Sequence, residues 1–359
     1  MSSPLAPGTC THGPAMKNRL MLAPLTNQQS HADGTLSDDE RHWLTMRAQG
    51  GFGLVMTCAA HVQAVGQGFP GQLGIFDDRH LEGLTALASD LRAEGSLSYV
   101  QLHHAGNRAP ADLIGTTPVC PSDDPETGAR ALSAAEVEQV IADFVAAAHR
   151  ADQAGFDGVE LHGAHGYLLC EFMSPDLNHR TDRFGGSPEA RRRILFDILD
   201  GIRATCRPDF AVAVRLSPER FGMVIDEVRD TFVALADTGQ VDMIDMSLWD
   251  VRKHPRDEAH SHRNLTEIFA ELPRGDVRLG VAGKIHDPSD IDWVLAQGVD
   301  VAALGRVAIL HHNYPDMLAV NGSFTPRRPP VSPDVLRSEG LSRTFVDYMA
   351  GNFPGFVDV

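Results

Sequence analysis

Residues 133–167 read SAAEVEQVIADFVAAAHRADQAGFDGVELHGAHGY, and the repeating unit of the chain can be taken from them. Ser133 with Glu136 three residues on is a capping-box pattern for a helix start. Val137, Val140, Ile141, Phe144, Val145 and Ala148 then fall on one stripe of a helical period. Gly155 stops the helix, and FDGVEL (156–161) follows as a short segment that reads as a buried strand. That strand runs directly into His162, His165 and Tyr167. A capped helix, a glycine stop and a buried strand form the building block of a parallel sheet covered by helices.

The same alternation extends in both directions. Further strands are expected at RLMLAPLT (19–26), GLVMT (53–57), LSYVQL (97–102), FAVAVRL (210–216), VDMIDMS (241–247), VRLGVA (277–282) and VDVAAL (299–304). Between them the sequence predicts a helix opened by a Ser37/Glu40 capping box, and one built on Leu81, Leu84, Leu87, Ala88 and Leu91 that stops at Gly95. Others begin at Ser187–Pro188, span 226–238 before Gly239, span 264–272, and run from Asp287–Pro288 to Gly298. Residues 103–132, rich in Pro, Gly and Asp, read as loop, and the pairs His103–His104 and His311–His312 as loop and helix surface. Eight strand–helix units without a linker argue for a single (β/α)8 TIM barrel over residues 1–359, with extended loops after its strands. The first twenty or so residues are expected to cap the barrel bottom.

Composition narrows the function classes. The 359 residues are 43% hydrophobic and 22% charged, enough apolar matter for a large core. Lys and Arg number 31 against 48 Asp and Glu, a formal net charge of −17 that repels nucleic acid. No apolar run has the length of a membrane span, and the N-terminus lacks the pattern of a secretion signal. The five cysteines, Cys10, Cys58, Cys120, Cys170 and Cys206, are scattered and never at C-x-x-C spacing. A reduced, cytoplasmic protein is expected.

In such a barrel the chemistry belongs at the C-terminal strand ends. Those ends carry Pro24, Leu25 and Thr26; Thr57, Cys58 and Ala59; Gln101; His162, His165 and Tyr167; Arg215; Ser247; Ala282 and Gly283; and Gly305 and Arg306. The glycine-bearing turns after strands seven and eight, with Arg306 beside them, suit a phosphate group. GQGFPG (66–71) fits a dinucleotide fingerprint by letter, but it does not bridge a strand and a helix and reads as loop. A metal at His162 and His165 is disfavoured, because Thr26, Gln101, Arg215 and Ser247 are poor or hostile co-ligands.

Several segments together identify a family. NRLMLAPLTNQ (18–28), GLVMTCAA (53–60), QLHHAGN (101–107), GFDGVELHGAHGYLLCEFMSPDLNHRTDRFGGS (155–187) and AVRLSP (213–218) resemble the Old Yellow Enzyme family of FMN-dependent ene-reductases. The resemblance runs in order over residues 17–320. It implies a non-covalent FMN at the barrel mouth and NAD(P)H as co-substrate, with an α,β-unsaturated carbonyl compound as oxidant. It implies that Pro24, Leu25 and Thr26 line the flavin, that Ala59 and Gln101 meet its pyrimidine edge beside His162, and that Arg215 faces its N1/O2 side. Ala282, Gly283, Gly305 and Arg306 would hold the phosphate end, and no metal is implied. His162 and His165 would donate to the substrate carbonyl oxygen, and Tyr167 would be the proton donor. Elementary chemistry agrees, since two imidazole N–H groups make an oxyanion hole and a tyrosine with an ordinary pKa near 10 is protonated at pH 7.

The sequence also departs from many relatives. Gln28 stands where some place an aromatic, Phe184 and Ala190 replace the usual Tyr and Asn, and the C-terminal GNFPGFVDV lacks an arginine that in some relatives reaches a neighbouring subunit. Substrate range and homo-oligomeric assembly therefore stay open. So do three other readings: a flavin-dependent demethylase or dehydrogenase, a metal hydrolase on the same fold, and a non-catalytic flavin carrier.

Overall fold

The eight apolar segments close into one barrel of parallel strands in the computed structural model, which describes residues 3–9 and 11–358. The strands are β1 (Leu20–Leu22), β2 (Leu54–His61), β3 (Leu97–His103), β4 (Gly158–Gly163), β5 (Ala211–Leu216), β6 (Met243–Ser247), β7 (Arg278–Ala282) and β8 (Val301–Leu304). Each pairs with the next, and the ring shuts because β1 lies between β2 and β8, with Met21 beside Leu54 and Leu20 beside Ala302. Around them lie α1 (Asp38–Gln49), α2 (Leu81–Ala93), α3 (Ala134–Ala154), α4 (Pro188–Thr205), α5 (Ile225–Asp237), α6 (Leu265–Ala270), α7 (Pro288–Ala296) and the short α8 (Arg306–Leu310).

Alternation along each strand builds two cores. Leu20, Leu22, Val100, Leu102, Val159, Leu161, Val212, Val214 and their equivalents face outward and pack under the helices. Met21, Ala23, Leu54, Met56, Leu97, Tyr99, Ala211, Ala213, Met243, Val301 and Ala303 face inward and fill the barrel together with Met16. Met16 reaches that layer because the N-terminal segment crosses the barrel bottom. There its backbone pairs with Gly8, and the His12 amide donates to Asp242 Oδ1 at 2.6 Å.

Four local expectations are corrected. Ser37 caps α1 by accepting from the Glu40 amide, but the Glu40 carboxylate turns inward to Asn27 and Ser30 instead of completing the box. His103 is not in a loop: it is the last residue of β3 and is buried. His311 is not on a helix surface either, because its ring is buried and accepts the Arg327 amide at 2.8 Å. Within 103–132 the chain also forms a short helix, Ala111–Ile114, and pairs Val119–Cys120 with Arg130–Ala131. Cys58, Cys120, Cys170 and Cys206 are free thiols, and Cys10 lies outside the described residues. No helix among the described residues is long and apolar enough to cross a membrane.

The C-terminal helices, Pro333–Ser338 and Arg343–Asn352, fold back on the β1 side. Phe345 meets Trp43 edge to face, and the buried Arg47 guanidinium donates to the carbonyls of Trp43, Ala308 and Glu339. Burial lowers the Arg47 pKa to about 9. Arg47→Met would strand those carbonyls, at about 1–3 kcal/mol for each one left unpaired. The expected outcome is a Tm several degrees lower by scanning calorimetry, with Arg47→Lys restoring only part because it cannot fork. An unchanged Tm in the methionine variant would contradict this role.

Candidate functional site

The inward parity that fills the barrel with apolar side chains turns polar one layer higher. Continuing it on β3 gives Gln101 and His103, on β4 Glu160 and His162, on β5 Arg215, and on β6 Asp245 and Ser247. Their neighbours on β1, β7 and β8 are Ala23, Ala282 and Ala303. The mouth therefore has a crowded polar half on β3–β6 and a low half of small residues on the other side.

Three imidazoles and a hydroxyl form a chain across the polar half. His103 Nδ1 lies 3.1 Å from His162 Nδ1, His162 Nε2 lies 2.9 Å from His165 Nδ1, and His165 Nε2 lies 2.7 Å from Ser247 Oγ. If each ring donates towards Ser247, the one atom left over is an acceptor at His103 Nε2, which has no partner among the described residues. The reverse direction would strand a buried N–H there, which is the costlier arrangement. His165 holds its place through a left-handed backbone, φ +65°, and through its amide, which donates to Ser217 Oγ at 3.0 Å. Burial is the first cause that pushes all three pKa values down, that of His165 to about 3, and Arg215 and Arg108 add repulsion at His162 and His165. The rings are neutral donors at physiological pH.

Tyr167 packs against this chain. Its ring is edge-on to His103 at 4.4 Å and His162 at 5.0 Å between centroids, and the Arg108 guanidinium lies over it at 4.7 Å. Arg108 also donates to the His165 carbonyl at 2.5 Å, so one side chain braces both residues.

Below the imidazoles lies a charged floor. Arg215 Nε faces Asp245 Oδ2 at 3.2 Å, and Arg215 Nη2 reaches Ser247 Oγ at 3.5 Å. Gln101 Nε2 donates to Glu160 Oε1 at 2.7 Å. Two buried carboxyls share one guanidinium, so burial and the nearby Asp245 raise the Glu160 pKa, and burial raises that of Asp245 against the pull of Arg215. Arg215 Nε, Glu160 Oε2 and both Asp245 carboxyl oxygens have no hydrogen-bond partner among the described residues. Buried groups left so incomplete fit a polar ring laid on this floor, as the flavin pyrimidine would be.

The remaining expected residues form the rim. Pro24, Leu25, Thr26 and Ala59 are half-buried, and Tyr348 of the C-terminal helix bonds to Thr26. Gly283 and Gly305 follow the adjacent strands β7 and β8, and the Gly305 turn lies beside Leu25. A Cβ on Gly283 would stand 2.8 Å from the Asp250 amide nitrogen, so that turn admits only glycine. Arg306 is exposed and has no ion pair among the described residues. All the expected site residues thus gather at one barrel end. His103, Arg108, Glu160, Asp245 and Tyr348 join them without having been anticipated, although extending the strand parity by one step marks the first, third and fourth. The His149, Asp152 and Cys206 cluster lies on the outer helices, where both Asp152 oxygens already bind Arg207.

Acid should destabilise this fold. His61 and His165 titrate near 4 and 3 when folded but near 6.5 in an unfolded chain. Below about 6.5 the unfolded chain binds more protons, so their contribution to stability is lost progressively as the pH falls towards 3. Glu160 has the opposite sign, because its raised folded pKa makes its contribution fall as the pH rises above the ordinary carboxylate range. Thermal melts should show Tm decreasing steadily from pH 6.5 to 4. Glu160→Gln should fold and weaken the decline on the alkaline side, whereas a Tm flat down to pH 4 would contradict the buried neutral imidazoles.

Comparison with known proteins identifies the lineage of this barrel. The profile of the NADH:flavin oxidoreductase / NADH oxidase family matches residues 8–321. The chain is 37% identical over 319 residues to a probable NADH-dependent flavin oxidoreductase of Bacillus subtilis, covering 86% of this chain and 85% of that protein. It is 33% identical over 303 residues to an NADPH dehydrogenase of the same organism, covering 81% and 87%. Among solved structures, the Old Yellow Enzyme homologue from Zymomonas mobilis superposes with a TM-score of 0.79 at 26% identity, over 93% of this chain and 96% of that one. Fold, profile and relatives agree that the chain belongs to the NADH:flavin oxidoreductase / NADH oxidase family, that of the Old Yellow Enzyme, and is an FMN oxidoreductase drawing electrons from NADH or NADPH.

Proposed function

We propose that this oxidoreductase is an ene-reductase, which reduces the activated C=C bond of α,β-unsaturated carbonyl or related compounds. The observation that carries the proposal is the pair of facing nitrogens, His162 Nε2 and His165 Nδ1, with the Tyr167 ring against both imidazoles. FMN would be held by Pro24, Leu25, Thr26, Ala59, Gln101, His162, Arg215, Ala282, Gly283, Gly305 and Arg306. When bound, it passes the electron pair of NAD(P)H to an electron-poor carbon.

The chain's own groups then act on the substrate. As the β-carbon is reduced, negative charge gathers on the carbonyl oxygen, where two N–H donors stabilise it. For both facing nitrogens to donate, His165 must carry its proton on Nδ1. Without a ligand His165 donates to Ser247, so an arriving oxygen must reverse that bond, and a hydroxyl that accepts from Arg215 can then direct its own hydrogen to His165 Nε2. An arriving oxygen replaces the imidazole–imidazole contact. Tyr167 supplies the proton to the α-carbon, and the Arg108 cation over its ring fixes its orientation. Phenols, which resemble the enolate, should occupy the same two donors.

Heating or acid should release intact FMN into solution, and FAD or covalently retained flavin would contradict the assignment. Arg306→Ala should weaken FMN retention about 10- to 100-fold, the size of a lost charge-assisted contact. His162→Ala should lose most phenol affinity, and Ser247→Ala should weaken it about tenfold by releasing the His165 tautomer. In rapid-mixing experiments Tyr167→Phe should keep the rate of flavin reduction by NAD(P)H and slow enone reduction by roughly 10²–10⁴. Nitroalkenes should still be reduced by that variant, with slow protonation of the released nitronate. An unchanged enone step would assign the proton to another donor.

A further inference from the structure

Beyond the imidazoles, the loops after β5 and β6 meet in an aromatic and cationic clamp that the chemistry above does not use. Arg220 lies between two rings, with its guanidinium carbon 5.5 Å from the Phe221 centroid and 5.2 Å from that of Trp249. Trp249 is 66% exposed, the larger of the two aromatic faces and the reverse of the burial expected of an indole. Arg220, Phe221 and Trp249 all have left-handed backbones, with φ of +69°, +55° and +65°, which side chains of this size seldom adopt. Unusual backbone of that kind persists where the surroundings impose it, and it gathers at ligand sites.

The clamp is rigidly mounted beside the site. Glu219 ties the two loops together through an ion pair with Lys253 and by accepting the Arg256 amide at 2.7 Å. Ser174 Oγ donates to the Gly222 carbonyl at 3.0 Å, and the Met223 amide donates to the Arg220 carbonyl at 2.9 Å. On one side the Phe221 ring stands 6.4 Å from that of His165. On the other, the backbone of Trp249 and Asp250 packs on the Gly283 turn. Nearby acids are engaged, Glu219 with Lys253 and Asp250 with Lys284, and Arg220 has no ion pair among the described residues. An exposed indole, an uncommitted guanidinium and an adjacent open mouth together match a ligand with an aromatic base and phosphates.

We propose that Arg220 and Trp249 form the docking site for the adenosine diphosphate part of the reduced nicotinamide dinucleotide, with adenine stacked on the exposed indole and the adenosine-side phosphate on the guanidinium. The site rests on the family's nicotinamide chemistry and not on the enone reading. It makes this half of the co-substrate an anchor outside the reacting centre, so that binding there delivers the nicotinamide to the mouth. The same adenosine diphosphate group occurs in coenzyme A thioesters, which would instead be oxidising substrates.

Stopped-flow flavin reduction in the holoenzyme tests the assignment with NADPH, NADH and reduced nicotinamide mononucleotide, which lacks the adenosine phosphate. Trp249→Ala and Arg220→Gln should each raise the apparent Kd for a dinucleotide about 5- to 100-fold, the range of a lost base stack or phosphate contact. Their limiting rates, FMN content and constants for the mononucleotide should stay at wild-type values. ADP should quench the indole fluorescence of the wild-type holoenzyme and not that of Trp249→Ala, a readout independent of catalysis. Unchanged dinucleotide constants in both variants would overturn the proposal. So would equal weakening of the mononucleotide, or weakening confined to a crotonyl coenzyme A thioester. Failure of enone reduction with normal nicotinamide behaviour would instead remove the ene-reductase reading and leave the clamp standing.

Discussion

Arg215 is the constraint around which the barrel mouth is arranged. Its guanidinium faces Asp245, touches Ser247 and repels protons from His162 and His165. A buried cation of this kind needs a carboxylate, yet β4 and β6 place two carboxyls there, Glu160 and Asp245. One guanidinium cannot balance both in so dry a place, and the raised Glu160 pKa relieves the excess by keeping a proton on the floor. The outcome is a nearly neutral platform whose unpaired hydrogen-bonding atoms suit a polar ring. Above it, the imidazoles stay uncharged by burial and by the same arginine. Neutral N–H donors in a dry site stabilise charge that develops on a substrate without titrating themselves.

Such a polar layer is expensive, and the rest of the fold offsets it. Directly beneath, the same inward parity carries Met, Leu, Tyr and Ala, plugged from below by Met16. The mouth thus belongs to a barrel whose lower half is dry and close-packed. Electrostatics shape its approaches as well. A net charge of −17 repels anionic ligands at long range, while FMN and NAD(P)H both carry phosphate. Arg306 at the β8 turn, Arg220 in the clamp and Arg108 over Tyr167 supply local positive charge at the mouth, which short-range contacts can use even where the overall field is unfavourable.

Much of this is legible in the sequence, for physical reasons that differ from element to element. The strands stand out because both of their faces are covered, which makes FAVAVRL and VDVAAL apolar except for Arg215 and Asp300. The helices stand out through caps such as Ser133/Glu136, whose two hydrogen bonds are local. Legibility fails where distant partners decide. Ser37 and Glu40 have the same capping pattern, but Asn27 and Ser30 draw the Glu40 side chain into the core. His103 looks like loop because it follows an apolar run and precedes a Gly-rich stretch, whereas the barrel extends β3 by one residue and turns that ring inward. Glu160 lies inside an apolar strand, and nothing local reveals that Gln101, Arg215 and Asp245 surround it. The clamp is the extreme case, because Arg220 and Trp249 come from different loops, and their stacking depends on backbone conformations that no local pattern specifies.

The most direct test of this account is the protonation of the imidazoles themselves. Nitrogen-15 NMR of the histidine-labelled holoenzyme in its oxidised form, with and without a bound phenol, reads both charge and tautomer. His162 and His165 should be neutral throughout pH 5–8, and phenol should place the His165 proton on Nδ1 and shift His162 Nε2 as both donate to the phenol oxygen. An imidazolium at either position within that range, or histidine signals indifferent to phenol, would contradict the neutral oxyanion site proposed above Arg215.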